Sequence, residues 1–215
     1  MWRWGLGYGR PLYALARMVL QLTLIGYVLV YIFATDSAWV IVGVLTVMLA
    51  AASWIALNTV NIPGRSLFPA SLWSVLVGGG STLVLITQGV LRLDPWYQPS
   101  VMIPLAGMIF AASMTNISLA LERLHAELRN GSEFPAARDT AFRTSMIPVI
   151  NSFFAVGLIS LPGMMTGQIL SGVSPLIAVR YQIMVMCMIF GAAGLSTICF
   201  LVLVKGNHHL RDVAE

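Results

Sequence analysis

Long runs of apolar residues, separated by short polar segments, dominate the sequence. A helix that crosses a bilayer needs about 20 apolar residues, because the hydrocarbon core is about 30 Å thick. The pattern therefore predicts six transmembrane helices, at about 12–33, 38–57, 70–91, 101–121, 145–161 and 177–204. The runs are continuous and do not alternate with polar residues, so a β-barrel is not expected.

The segment before the last predicted helix is mostly apolar but contains helix-breaking residues: Pro162, Gly163, Gly167, Gly172 and Pro175. Proline and glycine disfavour a straight helix. Irregular backbone at membrane depth has to be buried in protein or line a cavity. We therefore predict a broken or re-entrant element here, within an all-α, polytopic membrane domain that occupies residues 1–215.

Composition supports this interpretation and excludes several classes of protein. The chain has 215 residues, of which 58% are hydrophobic and only 9% are charged. Soluble domains carry about 25% charged residues. A soluble enzyme, a disordered protein and a nucleic-acid-binding domain are therefore excluded, and the lipid bilayer is the expected surrounding.

The basic residues are distributed unequally between the two predicted sides of the membrane. With the N-terminus in the cytoplasm, Arg92 and Arg180 lie outside, and ten basic residues lie inside: Arg3, Arg10, Arg17, Arg65, Arg123, Arg129, Arg138, Arg143, Lys205 and Arg211. Cytoplasmic segments carry such an excess. We therefore expect both termini in the cytoplasm. A seventh crossing at 162–175 would move Lys205 and Arg211 outside, and six helices are preferred.

Motifs that would indicate catalysis are absent from the sequence. It contains no Gly-x-x-x-x-Gly-Lys-Ser/Thr nucleotide loop and no His-Glu-x-x-His metal motif. Asp36 and Asp94 lie in predicted loops, so a carboxylate relay for protons is not expected at membrane depth. We predict that the chain is not an enzyme and needs no cofactor.

Uncharged polar residues and methionines occur within the apolar runs, including the broken segment. Asn151 and Ser152 lie early in the fifth predicted helix, and Met164 and Met165 lie in the broken segment. Such polar groups often form hydrogen bonds between helices, and methionine is a common apolar residue. Thioethers also bind soft metals such as Cu(I). Both interpretations remain open from the residues alone.

Residues 122–144 form the strongly charged stretch of the chain. It begins as an amphipathic helix with Leu121, Leu124 and Leu128 on one side, and Gly131 and Pro135 then break it. One interpretation is a solvated cytoplasmic loop. The other is a surface on which a partner docks and exerts force.

The residues from 161 onward, LPGMMTGQILSGVSPLIAVRYQIMV, resemble a signature of FetB-type ABC transporter permeases. This family includes bacterial iron exporters and plant aluminium-tolerance membrane subunits. Further matching segments are ARMVLQLTLIGYVLVYIF at 16–33, MIPLAGMIFAASM at 102–114 and RDTAFRTSMIPVINSFFAVGLISLPG at 138–163. The signature residues are Leu161, Pro162, Gly163, Gly167, Gly172, Pro175, Tyr181 and Gln182.

The resemblance implies a permease subunit in the bacterial inner membrane that pairs with a separately encoded ATPase. Two permease chains and two ATPases would form an exporter of iron or another metal. The substrate path would then be lined by Asn151, Ser152, Met164, Met165, Thr166 and Gln168. The ATPase would couple through Glu122, Arg123, Glu127, Arg129, Gly131, Arg138 and Arg143.

Two departures from the family pattern keep an alternative open. The family usually has one more helix before the region that matches Ala16 onward, and its charged loop is longer than the LRNGSEFPAA at 128–137. The second difference lies in the expected docking surface. A non-transporting assembly or regulatory membrane subunit, without an ATPase, is therefore the alternative function.

Overall fold

The structure is a computed structural model that describes residues 9–35, 37–58 and 64–206. Its helices are α1 (Gly9–Phe33), α2 (Ala38–Ala56), α3 (Gly64–Ser74), π1 (Val75–Gly80), α4 (Ser81–Val84), π2 (Leu85–Val90), α5 (Pro99–Arg129), α6 (Phe134–Ala155), α7 (Gly163–Leu170), α8 (Pro175–Leu203) and a short 3₁₀ turn (Val204–Gly206). Across these three ranges the β structure is limited to one isolated bridge, between Val156 and Ser160. The prediction of an all-α fold is confirmed.

Five of the described helical stretches are long and apolar enough to cross a membrane: Leu12–Phe33, Ala38–Ala56, Ser66–Val90, Pro99–Arg129 and Pro175–Leu203. The chain is thus a multi-pass helical membrane protein. It divides into two compact units, Met1–Gly43 and Val44–Glu215. The first unit contains α1, and the second contains the helices from α3 onward.

The fifth predicted span differs most from the observed helix. Residues 145–161 were expected to form one helix, whereas α6 begins at Phe134 and ends at Ala155. Its first half carries Arg138, Asp139 and Arg143, so its continuous apolar part is short. Gly157, with φ of 82°, follows soon after the helix end and reverses the chain. The prediction of six membrane helices therefore depends on α6, whose first half is charged and which is not one of the five apolar stretches.

The predicted charged loop 122–144 is largely helical. Residues 122–129 form the last two turns of α5, residues 130–133 form a tight turn, and residue 134 starts α6. Pro135 does not break a helix, because it lies in the first turn of α6, where its missing N–H is not needed. The predicted amphipathic face is present, since Leu121, Leu124 and Leu128 are buried.

The third membrane helix starts earlier than predicted and is internally irregular. It begins at Gly64 instead of near residue 70 and carries Pro69 inside its first segment. Two π-helical turns, π1 and π2, interrupt it, and the Leu91 N–H donates to the Ile86 carbonyl, five residues back, at 2.9 Å. Single π turns are rare and often lie at functional sites.

The centre of the second unit is a junction of three helices: π1, α5 and α8. A Cβ added at Gly78 would lie 2.6 Å from Cα of Ser196 in α8. A Cβ at Gly79 would lie 3.3 Å from the Phe110 ring in α5. The Ser196 hydroxyl donates to the Ser113 hydroxyl at 2.9 Å and so links α8 to α5. Glycine here permits an approach that a side chain would prevent.

The predicted loop around Pro63, the N-terminal stretch with Arg3, and the C-terminal tail with Arg211 lie outside the described residues.

Candidate functional site

The broken segment predicted before the last helix contains a short, loosely packed helix, α7. None of its eight residues is buried. Positions 163 and 167 have open space around them, because no atom lies within 4 Å of a Cβ built there. Gly157 before the helix and Gly172 after it have φ values of 82° and 89°, which favour glycine. The predicted interruption of the helical pattern is present at both ends of α7.

A cavity of about 430 Å³ lies on one side of α7, and we call it the methionine cavity. Three methionines line it, each from a different helix: Met108 of α5, Met164 of α7 and Met184 of α8. The other lining residues are Leu91, Ser100, Val101, Pro104, Leu105, Gln168 and Tyr181. The Gln168 Oε1 atom is buried and has no hydrogen-bond partner. This cavity therefore combines soft sulfur groups with an unsatisfied oxygen.

A second cavity, of about 380 Å³, lies between the end of α6, α7 and α8, and we call it the apolar cavity. Its lining is Phe153, Val156, Gly157, Leu161, Met165, Val179, Gln182, Ile183, Met186 and Cys187. Gln182 is only 6% exposed, and its Oε1 atom accepts no hydrogen bond. One buried amide thus lies in an otherwise hydrophobic wall.

The structure separates the predicted path residues into two groups. Met164 and Gln168, one helical turn apart, face the methionine cavity, and Met165 faces the apolar cavity. Asn151, Ser152 and Thr166 line neither cavity. The hydroxyl groups of Ser152 and Thr166 instead donate to the carbonyls of Val149 at 2.6 Å and Pro162 at 3.1 Å.

The signature residues shape α7 and the start of α8. The Pro162 carbonyl accepts the first hydrogen bond of α7, from the Thr166 N–H at 2.9 Å. The Val173 N–H donates back to the Gln168 carbonyl at 3.0 Å, which closes the other end of α7 around Gly172. Pro175 lies in the first turn of α8, where proline is favoured. Tyr181 and Gln182 then face the two different cavities.

The charged residues predicted to couple to an ATPase lie on a helical hairpin formed by the end of α5 and the start of α6. Arg123 forms an ion pair with Glu127, which also accepts a hydrogen bond from Ser132 at 2.9 Å. Gly131, at φ of 82°, makes the turn. Through its bond with Ser132, Glu127 joins the end of α5 to the turn.

The hairpin also carries exposed charges of both signs, with four arginines and four acidic residues between positions 122 and 143. Glu122, Arg123, Arg129 and Arg143 are exposed at the surface. Arg138 is half-buried and pairs with its neighbour Asp139 at 2.7 Å. Because α5 has 31 residues, it is about 46 Å long, which exceeds the hydrocarbon thickness by about 15 Å. The hairpin is long enough to project beyond the bilayer.

Comparison with known protein families gives a match over most of the chain. The model of an uncharacterised protein family, UPF0014, matches residues 1–208. This chain belongs to the UPF0014 family. Relatives include a UPF0014 membrane protein of Synechocystis, 38% identical over 88% of this chain and 79% of that protein. No solved structure matches the chain.

Two relatives of this UPF0014 chain carry more specific names. The "probable iron export permease protein FetB" of Escherichia coli is 34% identical over 88% of this chain and 78% of its own length. The "protein ALUMINUM SENSITIVE 3" of Arabidopsis thaliana is 35% identical over 88% of this chain and 74% of its own length. The resemblance to FetB-type proteins stated from the sequence is confirmed.

Sequence reasoning missed several methionines that line the two cavities of this UPF0014 chain. Met108 was not singled out, and no spacing pattern connects it to Met164, because they lie on different helices. From the sequence alone, Met184 does not differ from a core or lipid-facing methionine, whereas the structure places it in the lining of the methionine cavity. Met186 faces the apolar cavity and Met188 is buried in the core. The three alternate methionines thus face different surroundings, because residues two apart lie on different faces of a helix.

Proposed function

We propose that this chain is the membrane-spanning permease subunit of an ABC transporter that exports iron or another metal, with ATP hydrolysed by a separate protein. The observation that carries this proposal is the match to an iron export permease over 88% of the chain. That match includes α7 and the charged hairpin, the two elements that a transporter subunit needs for a path and for coupling.

The source of energy follows from what the sequence lacks. Export against a gradient needs either ATP or a coupled ion. The sequence has no nucleotide-binding loop, and its membrane helices have no central carboxylate through which protons could be coupled. An ATPase on another chain would supply the energy, and the hairpin of α5 and α6 is the projecting element on which it would act.

The proposed mechanism is alternating access in a dimer of permease chains. Closure of the ATPase would push the hairpin and tilt α5 and α6. Movement of α7 would then open a path on the far side of the membrane, past the two cavities. Gly163 and Gly167 form a small, exposed face on α7, which permits close approach of a second copy. The setting is the bacterial inner membrane, with both termini in the cytoplasm.

The test is purification of the tagged chain from its own host membranes in mild detergent, followed by identification of every protein that copurifies. We expect a stoichiometric ATPase with a nucleotide-binding loop, and metal-stimulated ATP hydrolysis after reconstitution in liposomes. The variant Arg123→Glu with Arg129→Glu should lose the ATPase, because it reverses charge on the proposed docking surface. Arg180→Glu, at the start of α8, is the matched control and should retain it.

A preparation that contains no ATPase would overturn this proposal. The alternative derived from the sequence, a non-transporting membrane subunit, would then account for the short turn between α5 and α6.

A further inference from the structure

The methionine cavity is unusually rich in sulfur. Twelve of the 215 residues are methionine, whereas three of the ten residues that line this cavity are. The three come from α5, α7 and α8, with Met108 lying 56 residues before Met164 and Met184 lying 20 residues after it. The fold, and not a local repeat, therefore brings Met108, Met164 and Met184 around one space.

The lining chemistry selects a class of ligand. Thioethers are soft, neutral donors that favour Cu(I) and related ions, whereas Fe(II), Mn(II) and Mg(II) favour imidazole or carboxylate oxygen. The cavity lining contains no histidine, cysteine, aspartate or glutamate. Throughout the described ranges, no group of three such side chains could hold a metal ion. A hard cation would lose its hydration without receiving suitable ligands in exchange.

The neutral lining favours a monovalent ion over a divalent one. The ten lining residues include no charged side chain, so no ligand offsets the charge of the ion. The cost of taking an ion out of water rises steeply with its charge. The buried Gln168 Oε1 atom has no hydrogen-bond donor, and a cation in the cavity would satisfy it.

We infer that the methionine cavity binds a soft monovalent cation, Cu(I) or Ag(I), through the sulfur atoms of Met108, Met164 and Met184. In naming this ion as the class of cargo, the inference rests on the proposed function. Binding itself needs no ATPase. Because Met164 lies on the loosely packed α7, movement of that helix would remove one ligand and release the ion.

Silver binding to the purified full-length chain tests the inference, since Ag(I) does not change its oxidation state in air. The parent protein carries Cys187→Ser and Cys199→Ser, because both cysteines are free and thiols would bind silver. It is purified with a tag that contains no histidine. Bound silver is measured per chain after desalting, and Kd is measured by competition with a chelator of known affinity.

The decisive variant combines Met108→Leu, Met164→Leu and Met184→Leu. Leucine nearly preserves the volume of methionine and removes only the sulfur. We expect the parent to bind one silver ion tightly and the variant to bind at least about 100-fold more weakly, since loss of a group that merely orients a ligand already costs about 10–100-fold. The control combines Met48→Leu, Met114→Leu and Met146→Leu, outside both cavities, and should match the parent.

Three results would overturn the inference: no tight silver site in the parent, unchanged affinity in the cavity variant, or equal losses in the two variants. If the cavity triple does not fold, Met164→Leu alone is informative, because α7 has no buried residue whose packing it would disturb. A single-site loss of at least about tenfold is then expected.

The binding assay separates this inference from the proposed function. If silver binds but no ATPase copurifies, the transport proposal falls and the metal site remains. If an ATPase copurifies but the parent does not bind silver, only the inference about the soft ion falls.

Discussion

The three-helix junction and α7 are both rich in glycine, but they use it in opposite ways. At the junction, a Cβ on Gly78 would lie 2.6 Å from Cα of Ser196, so glycine is required for α8 to approach. In α7, Cβ atoms on Gly163 and Gly167 would meet nothing within 4 Å. Glycine thus permits tight packing in one place and leaves an open helix surface in the other.

The difference indicates that the junction and α7 have different mechanical roles within the second unit. The two long helices of the junction carry the fully buried side chains Ile109 and Ile117 in α5 and Phe200 in α8, and such close packing is expected to resist deformation. In contrast, α7 has no buried residue, and elements with few buried apolar contacts open at low free energy. A transporter subunit needs both properties, a frame that transmits force and an element that moves.

The largest effect is expected from Gly78→Val, which tests whether the junction is as rigid as its packing indicates. The added side chain would meet the backbone of Ser196, which cannot rotate away. Overpacking usually costs about 1–3 kcal/mol, and here we expect at least about 3 kcal/mol of lost unfolding free energy, because backbone has to move. The measurement is the unfolding free energy in mixed micelles.

The matched control for Gly78→Val is Gly163→Val in α7, which should cost less than about 1 kcal/mol, since open space surrounds that position. Equal destabilisation by the two variants would mean that α7 is packed as tightly as the junction, and the contrast between the two regions would disappear.

Part of this contrast could be predicted from the sequence. Three consecutive glycines in an apolar run, at 78–80, are typical of a close helix approach or a bend, and the glycines and prolines at 162–175 predicted an interrupted element. The partner of Gly78 could not be predicted, because Ser196 lies 118 positions later and only the packing of α8 brings it there. The same reason hid the grouping of Met108 with Met184.

The charged region shows a different limit of sequence reasoning. Gly131 and Pro135 were interpreted as helix breakers, and glycine does end α5, but proline starts α6. Proline disrupts the interior of a helix but is favoured in its first turn. In this charged stretch the apolar pattern is interrupted, so the sequence does not show where α6 starts. For this reason the sequence did not predict that α6 begins as early as Phe134.

A smaller effect is expected from Gly172→Ala at the end of α7. The residue has φ of 89°, and a Cβ in the left-handed region costs about 1–2 kcal/mol. Because α7 is attached loosely, we expect the cost to appear as local opening around residues 163–173, with little change in global stability. Hydrogen exchange measures both quantities separately.

Asparagine provides the control for Gly172→Ala, since it tolerates positive φ better than alanine. Gly172→Asn should show slower exchange than Gly172→Ala. If Gly172→Ala instead lowered global stability by its full cost, α7 would belong to the same cooperative unit as the junction.

A still smaller effect is expected from Ser196→Ala at the junction. The variant removes the hydrogen bond from Ser196 to Ser113, which joins α8 to α5. Hydrogen bonds between membrane helices contribute about 0.6 kcal/mol on average. A double-mutant cycle with Ser113→Ala should therefore give a coupling of about 0.6 kcal/mol. A coupling near zero would assign the rigidity of the junction to close packing alone.

The smallest effect on stability, combined with the largest on transport, is expected from Gly163→Leu with Gly167→Leu. Leucine raises helix propensity by about 1 kcal/mol per position relative to glycine, and a Cβ at either position has no neighbouring element within 4 Å. The variant should therefore insert and unfold like the parent, or be slightly more stable. If the small face of α7 has to move past a second copy or close over the path, the added bulk abolishes metal export from liposomes that contain the ATPase.

Gly43→Leu, also at an open position, should keep full export. Export that survives in the α7 variant would show that this helix serves packing alone, and the loosely held element would have to be sought elsewhere.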